Sequence, residues 1–115
     1  MKNVKVIVAS DSVGETAELV AKACISQFKH SDHSSDILRY PYIETKENID
    51  EIIALAREVD SIIIYTLVRP DIRNYMQELI EQYDLKSVDI MGPMIQVMEK
   101  TFNQKSLNEP GIVHQ

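Results

Sequence analysis

The sequence predicts an α/β domain: a single three-layer unit with a four-stranded parallel sheet, in the order 2-1-3-4, and helices on both faces. Three observations predict it. Short apolar runs rich in β-branched residues alternate with stretches of helical periodicity, and the unit recurs four times between residues 4 and 102. The strongest runs are continuously apolar rather than alternating, the pattern of strands buried on both sides. Pro41 falls within the second run, and a residue with no N–H to donate belongs at a sheet edge.

Residues 4–9 form the first strand. From residue 14 to 28 the positions Ala17, Val20, Ala21, Cys24 and Phe28 share one helical stripe. Residues 29–35 are polar and read as a loop, and residues 36–43 as the edge strand. Ile49, Ile52, Ile53 and Ala56 mark a second helix at i, i+3, i+4 and i+7. Residues 61–66 are the most strand-like stretch and are predicted to be central. Pro70 suits the first turn of a third helix with stripe Ile72, Tyr75, Met76, Leu79, Ile80 and Tyr83. Residues 87–91 give a fourth strand. Pro93 stands at the start of a fourth helix, with Met94, Val97, Met98 and Phe102 expected in the core. Residues 1–102 thus make the domain, and residues 103–115 a linker or tail.

Composition narrows the function classes. A 115-residue chain with 44% hydrophobic and 26% charged residues can bury a core without a metal or disulfide. Its net charge of −6 argues against nucleic acid, whose phosphates attract basic surfaces. No apolar run approaches the roughly 20 residues that span a bilayer. The lone Cys24 excludes an internal disulfide and suits the cytoplasm; it reads as a buried small side chain. His30 and His33, with Asp32 and Asp36 nearby, lack the further ligands of a metal site, so no metal is expected.

Chemistry is expected where strands one and three end, since ligands of open α/β sheets bind at the carboxyl edge where strand order reverses. The first loop reads Ser10-Asp11-Ser12-Val13-Gly14-Glu15-Thr16. Ser12 and Glu15 have capping-box spacing, and Gly14 permits close backbone approach. The loop is either a helix cap or a ligand site. It lacks the lysine and the glycine spacing of a phosphate loop, and Asp11 and Glu15 would repel a bare phosphate. The third strand delivers Thr66-Leu67-Val68-Arg69-Pro70 to the same edge. Arg69 is either a fork for phosphate or carboxylate, or a surface cation paired with Asp11 or Glu15. Arg39 points along the edge strand or reaches the site.

Residues 8–18, Val-Ala-Ser-Asp-Ser-Val-Gly-Glu-Thr-Ala-Glu, resemble the opening signature of the regulatory proteins of pyruvate, phosphate dikinase and phosphoenolpyruvate synthase. Tyr65-Thr66-Leu67-Val68, Asp89-Ile90-Met91-Gly92-Pro93-Met94, and Glu109-Pro110-Gly111 with His114 agree in order, so the resemblance spans the chain. Val13 departs from it, a threonine being more usual there. The resemblance implies a cytoplasmic, bifunctional serine/threonine protein kinase and phosphorylase. Such an enzyme transfers phosphate from ADP to a threonine of the dikinase or the synthase, and removes it with inorganic phosphate. It implies that Ser10, Ser12, Gly14, Thr16, Thr66 and Arg69 hold phosphate or the target, with Asp11 a candidate base. It also implies that Pro110, Gly111 and His114 form a linker motif before a carboxy-terminal nucleotide-binding domain. The chain is then an amino-terminal fragment, inactive alone, with ADP and phosphate bound by the full-length protein and a homodimer possible. A docking or dimerisation module, or a small phosphate-binding flavodoxin-like domain, are the alternatives.

Overall fold

Eight elements alternate strictly along the chain in a computed structural model that describes residues 4–28 and 36–112: β1 (Lys5–Ser10), α1 (Glu15–Ile25), β2 (Ile37–Tyr40), α2 (Lys46–Glu58), β3 (Ser61–Thr66), α3 (Pro70–Gln82), β4 (Ser87–Asp89) and α4 (Met91–Phe102). All strand pairs are parallel and the order is β2-β1-β3-β4, as the sequence predicts. Pro41 follows the last residue of the edge strand β2, and β1 and β3 pair along their full six residues.

The two faces of β1 divide the core. Ile7 and Ala9 look toward α2 and α3, where Ile49, Ile52, Ile53, Ile72, Met76 and Ile80 pack on Ile63, Tyr65 and Leu67. Val6 and Val8 look the other way, onto Ala17 and Ala21 of α1. Burying an isoleucine or leucine stabilises the fold by about 1.5–3 kcal/mol, so the α2–α3 side carries most of the stability.

Local chemistry sets the ends of the elements. Thr45 and Asn48 form a reciprocal capping box at α2: Asn48 N–H donates to Thr45 Oγ1 at 3.2 Å, and Thr45 N–H to Asn48 Oδ1 at 3.1 Å. Pro70 opens α3 behind Arg69, as expected. At α4 the helix begins at Met91, so Pro93 is its third residue, still within the turn where an N–H has no helical partner. Gly92 N–H donates to Asp89 Oδ1 at 2.9 Å, and a Cβ at Gly92 would overlap the Asp89 carboxylate. Gly92 is therefore fixed by space and not by backbone angle.

Four expectations need correction. The Ser12–Glu15 box does not form: Gly14 is the N-cap of α1, at φ 85°, without a side-chain cap. The Ser12 N–H instead donates to Ser10 Oγ at 3.0 Å, which turns the chain one step earlier. On α1 only Ala17 and Ala21 are buried, while Cys24 is exposed and Phe28 lies past the helix end. Alanines let α1 lie close over Val6 and Val8, which narrows the buried stripe. Met94, Val97, Met98 and Phe102 are exposed rather than core, since α4 follows the three-residue edge strand β4 and buries only Gly92. Finally, the second strand is Ile37–Tyr40 and the fourth Ser87–Asp89, both shorter than predicted: Pro41 ends the former, and α4 already begins at Met91 after the latter. His30, His33 and His114 lie outside the described residues.

Candidate functional site

The turns leaving β1 and β3 meet. Asp11, 8% exposed, reaches across with Oδ2, which accepts the Val68 N–H at 2.8 Å and the Arg69 N–H at 3.1 Å. The Asp11 N–H points back to the Thr66 carbonyl at 3.5 Å. On the other flank, the Tyr42 and Ile43 N–H groups donate to the carbonyls of Ser12 and Ser10 at 2.8 and 2.9 Å. The chains leaving β2 and β3 are thus both tied to the β1–α1 loop. Burial pushes the Asp11 carboxyl above the ordinary carboxylate range; the two backbone bonds and the Arg69 charge pull the other way and do not cancel it.

This meeting point borders a cavity of about 430 Å³. Ser10, Asp11, Ser12, Gly14, Thr16 and Thr66 all line it, joined by Val13, Glu15 and Val68. Arg69 does not. Its guanidinium turns outward, donating to Asp71 Oδ2 at 2.9 Å and to the Glu44 carbonyl at 3.2 Å. Asp71, two residues on in the first turn of α3, captures it, and that bond holds the Asp71 carboxyl below its usual range. The expected convergence of hydroxyls, amides and a guanidinium therefore loses its guanidinium. Arg39 reaches from the edge strand to the site's loop, but from behind: it donates to the Val13 carbonyl at 2.7 Å and pairs with Glu18 at 3.2 Å.

The far wall comes from the stretch read as a linker. Asn103, at φ 54°, ends α4, and the chain then doubles back. The Ser106 N–H donates to Glu99 Oε2 at 2.8 Å, and the Asn108 N–H to Ser106 Oγ at 3.1 Å. Leu107, Glu109, Gly111 and Ile112 then line the cavity together with Ser12 and Gly14 and with Met91 and Ile95 of α4. Gly111 has φ 74°, and a Cβ there would sit 3.2 Å from Ser12 Oγ, so glycine suits both the turn and the close approach. Pro110 is half-buried beside it.

The lining decides what the cavity accepts. Among the described residues it holds Asp11, Glu15 and Glu109 and no lysine, arginine or histidine. The uncapped α1 N-terminus contributes about half a positive charge, against three formal negative ones. A bare phosphate is therefore disfavoured here. No group of three or more His, Cys, Asp or Glu among the described residues could hold a metal ion to offset that repulsion. The described lining offers ADP and inorganic phosphate no cationic side chain. No described helix is long and apolar enough to cross a membrane.

Sequence reasoning found the loop after β1 and the meeting of the two turns. It missed Val68, Met91, Ile95, Leu107, Glu109 and Ile112 as lining. A signal for the last three was present: two apolar residues flank Glu109-Pro110-Gly111 in an otherwise polar stretch.

Comparison with known proteins follows the same outline. A family model described as kinase/pyrophosphorylase matches residues 6–115. The chain is 54% identical over 115 residues to a provisionally named pyruvate, phosphate dikinase regulatory protein 2 of Staphylococcus saprophyticus. It is 52% identical over 114 residues to a provisionally named pyruvate, phosphate dikinase regulatory protein of Staphylococcus aureus. These alignments cover 100% and 99% of the chain and 42% of each relative, so the chain spans less than half the length of the relatives it matches.

Proposed function

The chain belongs to the kinase/pyrophosphorylase family, and from that premise we propose that it is the amino-terminal part of a bifunctional regulator of pyruvate, phosphate dikinase. In this reading the full-length protein transfers phosphate from ADP to a threonine of the dikinase and removes it with inorganic phosphate. It works in the cytoplasm. The nucleotide and the phosphate are held by a carboxy-terminal domain, because the cavity described above lacks the basic groups to hold them, and this part alone is inactive.

What this part supplies is the acceptor side of the cleft. The observation that carries the reading is Asp11: a buried carboxylate at the floor of a cavity, on the sheet edge where strand order reverses, fixed by two backbone N–H groups on one oxygen. Burial raises its proton affinity, which suits a general base. Ser10 and Thr66 are buried beside it, the Val68 and Arg69 N–H groups set its position, and Oδ1 takes the hydrogen bond of the threonine hydroxyl and then its proton. In the full-length protein, Asp11→Asn is expected to lower the kinase rate by about 100-fold or more, the typical contribution of a positioned base. A kinase rate within threefold of wild type would remove Asp11 from that role.

A second reading has a specific observation behind it. The outer stripe of α4, Met94, Val97, Met98 and Phe102, is exposed and apolar, as a docking or dimerisation face would be. Charged substitutions at Met98 and Phe102 that abolish target capture or dimer formation, while Asp11→Asn leaves the rates unchanged, would favour it.

A further inference from the structure

Apolar cover is uneven over this molecule. Among the described residues, α2 and α3 expose no large apolar side chain, whereas α4 leaves Met94, Val97, Met98 and Phe102 between 43% and 64% exposed. Leu107, in the chain that returns from α4, is 70% exposed, and with Met98 and Phe102 it lines a groove of about 260 Å³. The sheet is open at the same edge: Val88 of β4, in register with Ile64 on the side that α1 covers, is 52% exposed. On α4 and the returning chain alone this amounts to roughly several hundred Å² of apolar surface, a patch of the size that marks an interaction site.

The charges around the groove narrow what covers it. Lys100 and Lys105 are exposed there, in a chain whose net charge is −6. The one acid of α4, Glu99, accepts the Ser106 N–H at 2.8 Å. A second copy seated here by two-fold symmetry would bring the same two lysines, with its Glu99 already bonded. The matching surface instead sets carboxylates beside apolar side chains. The relatives carry more than half of their length outside the stretch matched here. The returning chain lines the groove at Leu107, so a segment continuing from it stays tethered at a local concentration on the order of millimolar.

We propose that this face of α4, with Leu107, is an internal interface, on which the carboxy-terminal part of the full-length protein seats an apolar segment flanked by carboxylates. The inference rests on the functional reading above in taking that part to follow this chain. The seat lies one side chain away from the cavity beside Asp11, because Ile95 lines both the cavity and the groove. α4 then holds the nucleotide-bearing part at a fixed place relative to Asp11.

Methionine oxidation by peroxide reads this interface, since covered thioethers resist a reagent that exposed ones meet. Met94 and Met98 report on the face, and the fully buried Met76 is the internal standard. In the 115-residue chain, Met94 and Met98 should oxidise much faster than Met76. In the full-length protein both should slow by about tenfold or more at every protein concentration, with Met76 unchanged. Phe102→Glu with Leu107→Glu in the full-length protein should restore fast oxidation of Met94 while Met76 stays protected. Should Met76 become reactive in that variant, its fold is lost and the wild-type footprint decides by itself. Full-length Met94 and Met98 as reactive as in the 115-residue chain would overturn the proposal. So would protection that fades on dilution, the mark of a second copy, or protection that arises only once the dikinase is added, the mark of a docked target. A full-length protein that transfers phosphate with both methionines exposed sinks the interface and keeps the functional reading. Protected methionines in a full-length protein that transfers none do the reverse.

Discussion

Asp11 allows the structural reasoning to be tested apart from any activity. Its Oδ2 is the acceptor for the N–H groups of Val68 and Arg69. Asp11→Ala leaves both donors without a partner. An orphaned buried donor costs about 1–3 kcal/mol, and water entering from the cavity side holds the pair toward the low end, giving about 2–4 kcal/mol in all. Asp11→Asn keeps an acceptor oxygen in place and should stay within about 1 kcal/mol of wild type at mildly acid pH.

The pH dependence supplies the sharper check. Because burial raises the folded-state pKa of Asp11 above its unfolded value, the folded protein holds this proton more tightly. The associated stability is fully present below the unfolded pKa of about 3.9 and is lost as pH rises through the folded value. Asparagine has no such term. Urea unfolding of both proteins from about pH 4 to about pH 7.5 should therefore show Asp11→Asn gaining on wild type as pH rises. All other titrating groups are shared, so they drop out of the difference. Two results would refute the reasoning: an Asp11→Ala cost below about 0.5 kcal/mol, as at an open surface site, or a pH trend of the opposite sign.

Four further outcomes are expected. Gly92→Ala should destabilise by about 1–3 kcal/mol despite alanine's better helix propensity, because its Cβ displaces the Asp89 carboxylate from the Gly92 N–H and from Gln77; an unchanged thermal midpoint would contradict the packing described. Arg69→Ala should return the Asp71 carboxyl upward toward its ordinary value, which an NMR titration of Asp71 would report. Ile52→Ala, in the buried core, should cost about 2–5 kcal/mol in denaturant unfolding. Phe102→Ser, on the exposed stripe, should change stability by about 0.5 kcal/mol or less.

The fold was legible because its signals are local and mutually consistent. Continuous apolar runs at β1 and β3, the i, i+3, i+4 stripe of α2, Pro70 at the start of α3 and Pro41 beside an edge strand each point one way. The stripe of α4 misled because periodicity reports amphipathicity, not what lies opposite. Met94, Met98 and Phe102 form a sound helical face, yet the three-residue β4 leaves little sheet beneath it. The α1 cap misled for a related reason. Ser12 and Glu15 have the right spacing, but the Ser12 N–H is taken by Ser10 and its carbonyl by Tyr42, a partner thirty positions away in the chain.

The site divides along the same line. The neighbourhood of Ser10, Asp11 and Thr66 followed from topology alone, since parallel β1 and β3 in register must release their loops side by side. The direction of Arg69 did not, because Asp11 and Asp71 both lie within reach of it and only the backbone at the start of α3 chooses. That choice reverses the character of the cavity. With its side chain turned to Asp71, Arg69 bonds Asp11 only through its backbone N–H, and the positive end of α1 shares the cavity with three carboxylates. Half a charge stands against three among the described residues, so a helix N-terminus that would ordinarily invite an anion is surrounded by more negative charge than it offsets. The tail completes this inversion: Glu109 brings the third acid, and Leu107 and Ile112 bring the apolar surface that an anion would have no use for.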